Sequence, residues 1–117
     1  MITLHCLLNE ETRGLICKEN IAKMKDGVIL LNASRGPVIN EADVAEALRS
    51  GKMAAAGVDV VSTEPIEKNN PLLTAPNCII TPHIAWATVE ARKRLMDVVF
   101  RNIEKFLAGT PENVVNR

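Results

Sequence analysis

The sequence predicts an α/β fold, in which the strands of a parallel β-sheet alternate with helices along the chain. Two observations support this prediction: short apolar runs alternate with amphipathic stretches, and the runs themselves lack a strict apolar-polar alternation. The first pattern is typical of repeated βα units. The second is typical of strands whose two faces are both covered by helices. In a chain of 117 residues we expect one domain.

Four apolar runs, each four to six residues long, are the predicted strands. They are Ile2–Cys6, Val28–Asn32, Ala55–Val60 and Cys78–Thr81. A helix is predicted around Lys18–Met24, between the first two strands. The segment Thr63–Pro76 contains three prolines and is predicted to be a loop between the last two strands.

Two further helices are indicated by periodicity and by their end signals. Glu41–Arg49 follows Asn40, which is a natural N-cap residue, and stops before Gly51. Thr88–Ala108 has apolar residues at helical spacing with charged residues between them, and Gly109 follows it. The second of these is predicted to be a long amphipathic helix.

Composition and charge exclude several functional classes. The chain has 14 basic and 14 acidic side chains, and this balance disfavours nucleic acid and acidic membrane surfaces as partners. No apolar run approaches the roughly 18 residues of a membrane span, and the N-terminus lacks the pattern of a secretory signal, so we expect a cytoplasmic protein. Three cysteines without a CxxC pair indicate reduced thiols and predict neither a disulfide framework nor a metal site.

The residues that follow the predicted strands are the candidates for chemistry, because ligands of parallel α/β sheets bind at the carboxyl ends of the strands. Arg35 follows the second strand, Glu64 the third and His83 the fourth. Arg35 lies in a Ser-Arg-Gly-Pro turn, where its planar donors suit bidentate capture of a carboxylate. A glutamate close to His83 would favour the imidazolium form and so provide an acid near neutral pH.

Each candidate also has a simpler interpretation when it is taken alone. Taken alone, Arg35 is more typical of an ordinary salt bridge, Glu64 of a solvated loop charge and His83 of a structural histidine. Trp86, the only tryptophan, is by itself more often a packing residue than the wall of a substrate site. The combination of three such residues on one rim is what indicates a catalytic site.

Three motifs make the sequence recognisable. They are Asn-Ala-Ser-Arg-Gly-Pro at 32–37, Ala-Gly-Val-Asp-Val at 56–60 leading to Glu64, and Thr-Pro-His-Ile-Ala-Trp at 81–86. Together they resemble the second half of the nucleotide-binding domain of NAD-dependent D-2-hydroxyacid dehydrogenases, and the resemblance spans essentially the whole chain. Because Trp86 follows His-Ile-Ala, the sequence looks most similar to the glycerate dehydrogenase or hydroxypyruvate reductase branch of that family. The resemblance implies half of a doubly wound Rossmann-type parallel sheet, with about four strands, flanking helices and a long C-terminal helix.

The resemblance also implies roles for individual residues. Arg35 would bind the substrate carboxylate, His83 would pass a proton to or from the substrate oxygen, and Glu64 would keep His83 protonated and oriented. NAD or NADP would transfer the hydride, and Trp86 would form a substrate wall. Contacts to the nicotinamide and its ribose would come from His5, Cys6, Ala33, Ser34, Arg35, Asp59, His83, Ile84 and Ala85. Where the family often has Pro and then Thr after the His-Cys pair, this chain has Leu7 and Asn9, which puts cofactor contacts near Leu7 in doubt.

The dinucleotide fingerprint is absent, because no two glycines are spaced as G-x-G. We therefore expect residues 1–117 to be the C-terminal half of an NAD-binding domain without a separate substrate domain, inactive in isolation and doubtful as a cofactor binder on its own. The predicted strand Ile2–Cys6 would then have an open edge. We expect a second copy, in a homodimer, or the missing N-terminal half to cover that edge.

Three functional interpretations remain. The chain is a fragment of an oxidoreductase acting on a small D-2-hydroxy acid or 2-keto acid, a non-catalytic half-domain that self-associates, or a module that binds dinucleotide without turnover. The family resemblance favours the first as the biochemical identity, whereas the missing fingerprint favours the second for the isolated chain. The sequence favours no particular 2-hydroxy acid and neither NAD nor NADP.

Overall fold

A computed structural model describes residues 1–116, which form two compact units. The first unit is Met1–His83, and the second begins at Ile84. The first contains the sheet and its covering helices, and the second contains one long helix.

The first unit is built on a four-stranded sheet in which every neighbouring pair of strands is parallel. Its strands are β1 (Ile2–Leu4), β2 (Val28–Asn32), β3 (Met53–Val58) and β4 (Cys78–Ile80), and their order in the sheet is β1-β2-β3-β4. All four predicted strands are confirmed. The prediction for the third lay two residues too far along the chain, because β3 begins where Met53 pairs with Val28 of β2. β1 ends before His5 and Cys6, which lie in the loop that follows it.

Helices connect the strands. They are α1 (Lys18–Ala22) and α2 (Glu41–Arg49), with short 3₁₀ helices at Gly36–Val38 and Pro71–Thr74. The predicted bounds and cap of α2 are confirmed, since Oδ1 of Asn40 accepts hydrogen bonds from the amides of Ala42 and Asp43 at 3.1 and 3.2 Å. α1 is shorter than predicted. Its first amide, that of Lys18, donates to Oδ2 of Asp43 at 2.8 Å and so joins the two helices.

The core lies on one face of the sheet only. In β2, Leu30 is fully buried, whereas Ile29 and Leu31 on the opposite face are 40% and 37% exposed. The expectation that both faces would be covered was therefore wrong for this unit. The reason is the strand order: four parallel strands laid down in sequence, with crossovers of the usual right hand, place every connection on the same face. Fully or almost fully buried apolar residues on the covered face include Leu30, Val38, Val44, Met53, Val58 and Leu72.

The second unit confirms the long amphipathic helix, α3 (Val89–Leu107). Oγ1 of Thr88 caps it by accepting a hydrogen bond from the amide of Ala91 at 3.2 Å. After the helix, Glu112 forms an ion pair with Nε of Arg101 at 2.8 Å. None of the residues of α3 is buried. Within residues 1–116 no helix is both long enough and apolar enough to cross a membrane.

Candidate active site

Asn32, the last residue of β2, organises the loop that carries Arg35. Its buried side chain accepts hydrogen bonds at Oδ1 from the amide and the hydroxyl of Ser34, at 3.1 and 2.9 Å, and donates from Nδ2 to the carbonyl of Arg35 at 3.0 Å. The Arg35 side chain turns back, so that Nη1 donates to the carbonyl of Ser34 at 2.7 Å. The backbone amide of Ser34 and the backbone carbonyl of Arg35 are thus both hydrogen-bonded to Asn32 at the end of β2.

The loop after β2 packs directly on the loop after β3. A Cβ atom built on Gly36 would lie 2.0 Å from the carbonyl carbon of Val61 and 2.5 Å from the amide nitrogen of Ser62. Only glycine permits this approach. The amide of Val61 in turn donates to Oε1 of Glu64 at 3.2 Å. Gly36 therefore connects the Arg35 loop with the segment that holds Glu64.

Glu64 and His83 form a direct pair, as predicted from their positions after adjacent strands. Oε2 of Glu64 lies 2.8 Å from Nδ1 of His83, and the two side chains are 41% and 43% exposed. The hydrogen bond with His83 holds the pKa of the Glu64 carboxyl below its ordinary value, and the Val61 amide acts in the same direction. Partial burial and the charge of Asp59 oppose this lowering of the pKa. An ionised carboxylate can only accept, so Nδ1 of His83 is the donor.

The residues just before His83 are attached to the end of β3. Asp59 is buried, and its Oδ1 accepts a hydrogen bond from Oγ1 of Thr81 at 2.5 Å. The amide of Asp59 donates to the carbonyl of Asn32 at 2.9 Å, which links the ends of β2 and β3. The strand ends and their loops thus form one hydrogen-bonded edge.

Two cavities open at this edge of the first unit. One, of about 570 Å³, has Asp59, Glu64, Thr81 and His83 as its polar lining and is otherwise mostly apolar. The other, of about 480 Å³, is lined by His5, Cys6, Leu7, Leu8, Ala33, Ser34 and Arg35. The predicted residues of this unit therefore line cavities at the expected edge, but Arg35 lines a different cavity from Glu64 and His83.

Three predicted residues, Ile84, Ala85 and Trp86, belong to the second unit. The Trp86 side chain is 58% exposed there. Within residues 1–116 no group of three or more histidine, cysteine or acidic side chains is arranged to hold a metal ion.

No role was predicted for Asn32 or Thr81, and Gly36 was predicted only to form the tight turn after Arg35. A signal for Asn32 was present, because an asparagine two residues before a serine is typical of a side chain that caps its own loop. The approach of Gly36 to Val61 and the bond between Thr81 and Asp59 had no local signal, since both join segments more than 20 residues apart.

A parallel sheet with polar side chains gathered at the carboxyl ends of its strands is typical of open α/β folds, among them the Rossmann-type nucleotide-binding fold. The comparison with solved structures agrees. The chain superposes on a D-isomer specific 2-hydroxyacid dehydrogenase from Xanthobacter autotrophicus Py2, solved in complex with NADPH and MES, with a TM-score of 0.79 and 36% identity, over 97% of this chain and 46% of that one.

The family follows from the sequence comparison. Residues 1–85 match the family described as D-isomer specific 2-hydroxyacid dehydrogenase, NAD binding domain. The chain belongs to this family.

Two curated relatives align over nearly the whole chain. The hydroxypyruvate reductase of Blautia hydrogenotrophica is 67% identical over 117 residues, which is 100% of this chain and 36% of that protein. The glycerate dehydrogenase of Methylorubrum extorquens is 45% identical over 117 residues, covering 98% of this chain and 37% of the relative. The chain thus spans little more than a third of the length of these relatives.

Proposed function

We propose that this chain is the C-terminal half of the NAD-binding domain of an oxidoreductase that transfers a hydride between NAD(P) and a small D-2-hydroxy acid or 2-keto acid. The observation that carries the proposal is the Glu64–His83 pair at 2.8 Å, located at the ligand-binding edge of the sheet. The names of the two relatives favour a glycerate-like or hydroxypyruvate-like substrate.

In this proposal His83 is the acid that protonates the substrate oxygen. Its Nδ1 donates to ionised Glu64, so the proton exchanged with the substrate is the one on Nε2. When bound, the nicotinamide supplies the hydride that reaches the carbonyl carbon. Glu64 orients the imidazole by accepting the hydrogen bond from Nδ1. In the reverse direction neutral Nε2 accepts the proton of the hydroxy acid.

Arg35 is assigned to the substrate carboxylate. One of its nitrogens donates to Ser34, and the guanidinium has further donors in a planar fork that matches a carboxylate. Attachment of its loop through Asn32 and Gly36 limits the conformational freedom that binding would have to remove.

The cavity beside Arg35 suits one face of a nicotinamide ribose. Its small side chains, Ala33 and Ser34, leave room for a sugar ring, and His5 and Cys6 line it from the loop after β1. The exposed Leu7 stands where the family often has proline. We assign Asp59, His83 and Ala85 to the same cofactor, and Trp86 to a wall of the substrate site.

A cytoplasmic location stays a prediction.

The test is titration of the 117-residue chain with NADH, followed by a turnover assay on hydroxypyruvate and glyoxylate. We expect no turnover from the chain alone, and turnover when the N-terminal part of such an enzyme is supplied. In that complemented preparation His83→Ala and Glu64→Gln should abolish or strongly reduce the rate. Glu67→Gln, an exposed glutamate of the same loop, is the matched control and should not. Full activity of His83→Ala would contradict the assigned role.

A second candidate function is self-association without catalysis, and the edge of the sheet favours it. β1 pairs with β2 on one side only, and the uncovered sheet face exposes Ile29, Leu31 and Ile79. We propose that the open edge of β1, Ile2–Leu4 within the predicted strand Ile2–Cys6, pairs with a second copy or with the N-terminal half of the domain. Light scattering at micromolar concentration should show a dimer of the isolated chain, and a folded, strictly monomeric chain contradicts the homodimer.

A module that binds dinucleotide without turnover remains as a third outcome. It would be supported by NADH binding to the isolated chain together with no turnover in the complemented preparation.

A further inference from the structure

A threonine hydroxyl holds the turn that precedes His83. Oγ1 of Thr81 donates to Oδ1 of Asp59 at 2.5 Å, and the amide of Thr81 donates to the carbonyl of Val58 at 3.0 Å. Asp59 is only 7% exposed, so its carboxylate is a well-fixed acceptor. Thr81 is therefore bound to the end of β3 through its backbone and its side chain together.

The turn holds His83 in an unfavourable backbone conformation. Its φ is +54°, in the left-handed region. For a residue with a Cβ atom this region is sterically unfavourable and is kept only where the surroundings enforce it. The amide of His83 donates to the carbonyls of Asp59 and Thr81, at 2.8 and 3.0 Å. Asp59 thus binds both ends of the turn, Thr81 through its carboxylate and His83 through its carbonyl.

Pro82, which lies between Thr81 and His83, couples the backbone positions of these two residues. Pro82 has a fixed φ and no amide hydrogen. A displacement of Thr81 therefore cannot be absorbed easily at Pro82 and reaches the backbone of His83. The imidazole, whose Nδ1 lies 2.8 Å from Glu64, would move with that backbone.

We propose that Thr81 is a positioning residue for His83. Its hydroxyl bond to Asp59 keeps the turn 81–83 in the conformation that directs Nδ1 of His83 at Glu64. The inference rests on the function proposed above, in that it takes the Glu64–His83 pair as the working acid. Its test measures the geometry of the pair and not turnover, so each of the two proposals can fail while the other stands.

The experiment is a ¹³C NMR titration of the Glu64 carboxyl in the 117-residue chain. The groups that act on the Glu64 pKa are the hydrogen bond and charge of His83, the Val61 amide and the charge of Asp59. Because the bond with His83 is the largest of these, loosening it should raise the Glu64 pKa towards its ordinary value of 4.5. Thr81→Val keeps the shape of the side chain and removes the hydroxyl.

We expect Thr81→Val to cancel more than half of the lowering of the Glu64 pKa. Thr81→Ser, which restores a hydroxyl, should keep the wild-type titration. Thr74→Val is the matched control: its hydroxyl accepts from Arg49 at 3.1 Å in the same unit and does not touch the pair, so the Glu64 pKa should not change.

Two outcomes would overturn the inference. One is a wild-type Glu64 titration in folded Thr81→Val, with the amide spectrum otherwise intact. The other is measured without the valine variant, and so applies even if Thr81→Val does not fold. We expect the His83 amide to be protected from hydrogen exchange in the wild type and in Thr81→Ser. Exchange of that amide at the rate of an unprotected one in the wild type would show that the turn is not held.

Discussion

Gly36→Ala tests the contact that joins the Arg35 loop to the Glu64 loop. The added Cβ would lie 2.0 Å from the Val61 carbonyl carbon, 2.1 Å from its oxygen and 2.5 Å from the Ser62 nitrogen, whereas ordinary contact begins at 3.4 Å. The shortest of these distances falls 1.4 Å short of ordinary contact (3.4 minus 2.0), and every atom concerned belongs to the backbone. No side-chain rotation can relieve the overlap, so one of the two loops must move.

Overpacking of a well-packed site typically costs about 1–3 kcal/mol, and we expect Gly36→Ala to reach the upper end of that range. A loss of about 3 kcal/mol is a large part of the roughly 5–15 kcal/mol of stability typical of a small domain. Urea unfolding followed by far-UV circular dichroism measures it. Trp86 fluorescence is not a suitable probe, because Trp86 lies outside the unit that contains the sheet.

Gly57→Ala is the matched control for this prediction. Its new Cβ would meet only the Cδ2 atom of Leu31 at 2.9 Å, the far end of a flexible and partly exposed side chain. We expect it to cost less than about 1.5 kcal/mol. Equal unfolding midpoints for the two variants would refute the argument that the Gly36 contact joins the loops rigidly.

Three further predictions concern single polar contacts. Asn32→Ala removes the partner of two Ser34 groups and of the Arg35 carbonyl, and leaving buried polar groups unsatisfied costs about 1–3 kcal/mol each. Urea unfolding should show that the free energy of unfolding falls by at least about 2 kcal/mol. A fall below about 0.5 kcal/mol would contradict the organising role of Asn32. Because the pKa of Glu64 is lowered by folding, its ionisation stabilises the fold at pH values above its ordinary pKa of 4.5, and this contribution is lost as pH falls through the folded-state pKa. Glu64→Gln should therefore make stability fall less steeply in acid, as measured by urea unfolding between about pH 3 and 6. An effect equal to that of Glu67→Gln would count against the Glu64–His83 pair. Asn40→Ala removes the cap of α2 and should cost about 1 kcal/mol in thermal or urea unfolding, and no measurable cost would show that water replaces the cap.

Elements with local signals were predicted well. The bounds of β2 and α2 agree with the sequence analysis, because an apolar run between turn residues, or a helical period with Asn40 as its cap, is complete within about ten residues. β3 was misplaced because its start depends on pairing with β2 and not on its own composition. The uncovered face of the sheet was missed because it follows from strand order, which no single segment contains.

The candidate site shows the same division. The order Arg35, Glu64, His83 after successive strands indicated chemistry at the carboxyl edge, and Glu64 and His83 do form a pair. All three residues were predicted to lie on one rim, and along that edge Arg35 lines a cavity separate from the one lined by Glu64 and His83. A strand position determines the edge at which a side chain emerges, but the loops between residues 33 and 83 determine which cavity it lines.

The sequence by itself determined the α/β class, the existence of all four strands and the residue types at their carboxyl ends, because these depend on short-range periodicity and on turn residues. Only the tertiary structure decided which of those residues meet. Val61 lies against Gly36, Thr81 binds Asp59, and His83 adopts a left-handed backbone that Asp59 helps to hold. Each of these contacts joins the ends of neighbouring parallel strands. Such strands become neighbours only after a crossover, of 20 residues between β2 and β3 and of 19 between β3 and β4, has folded back onto the sheet.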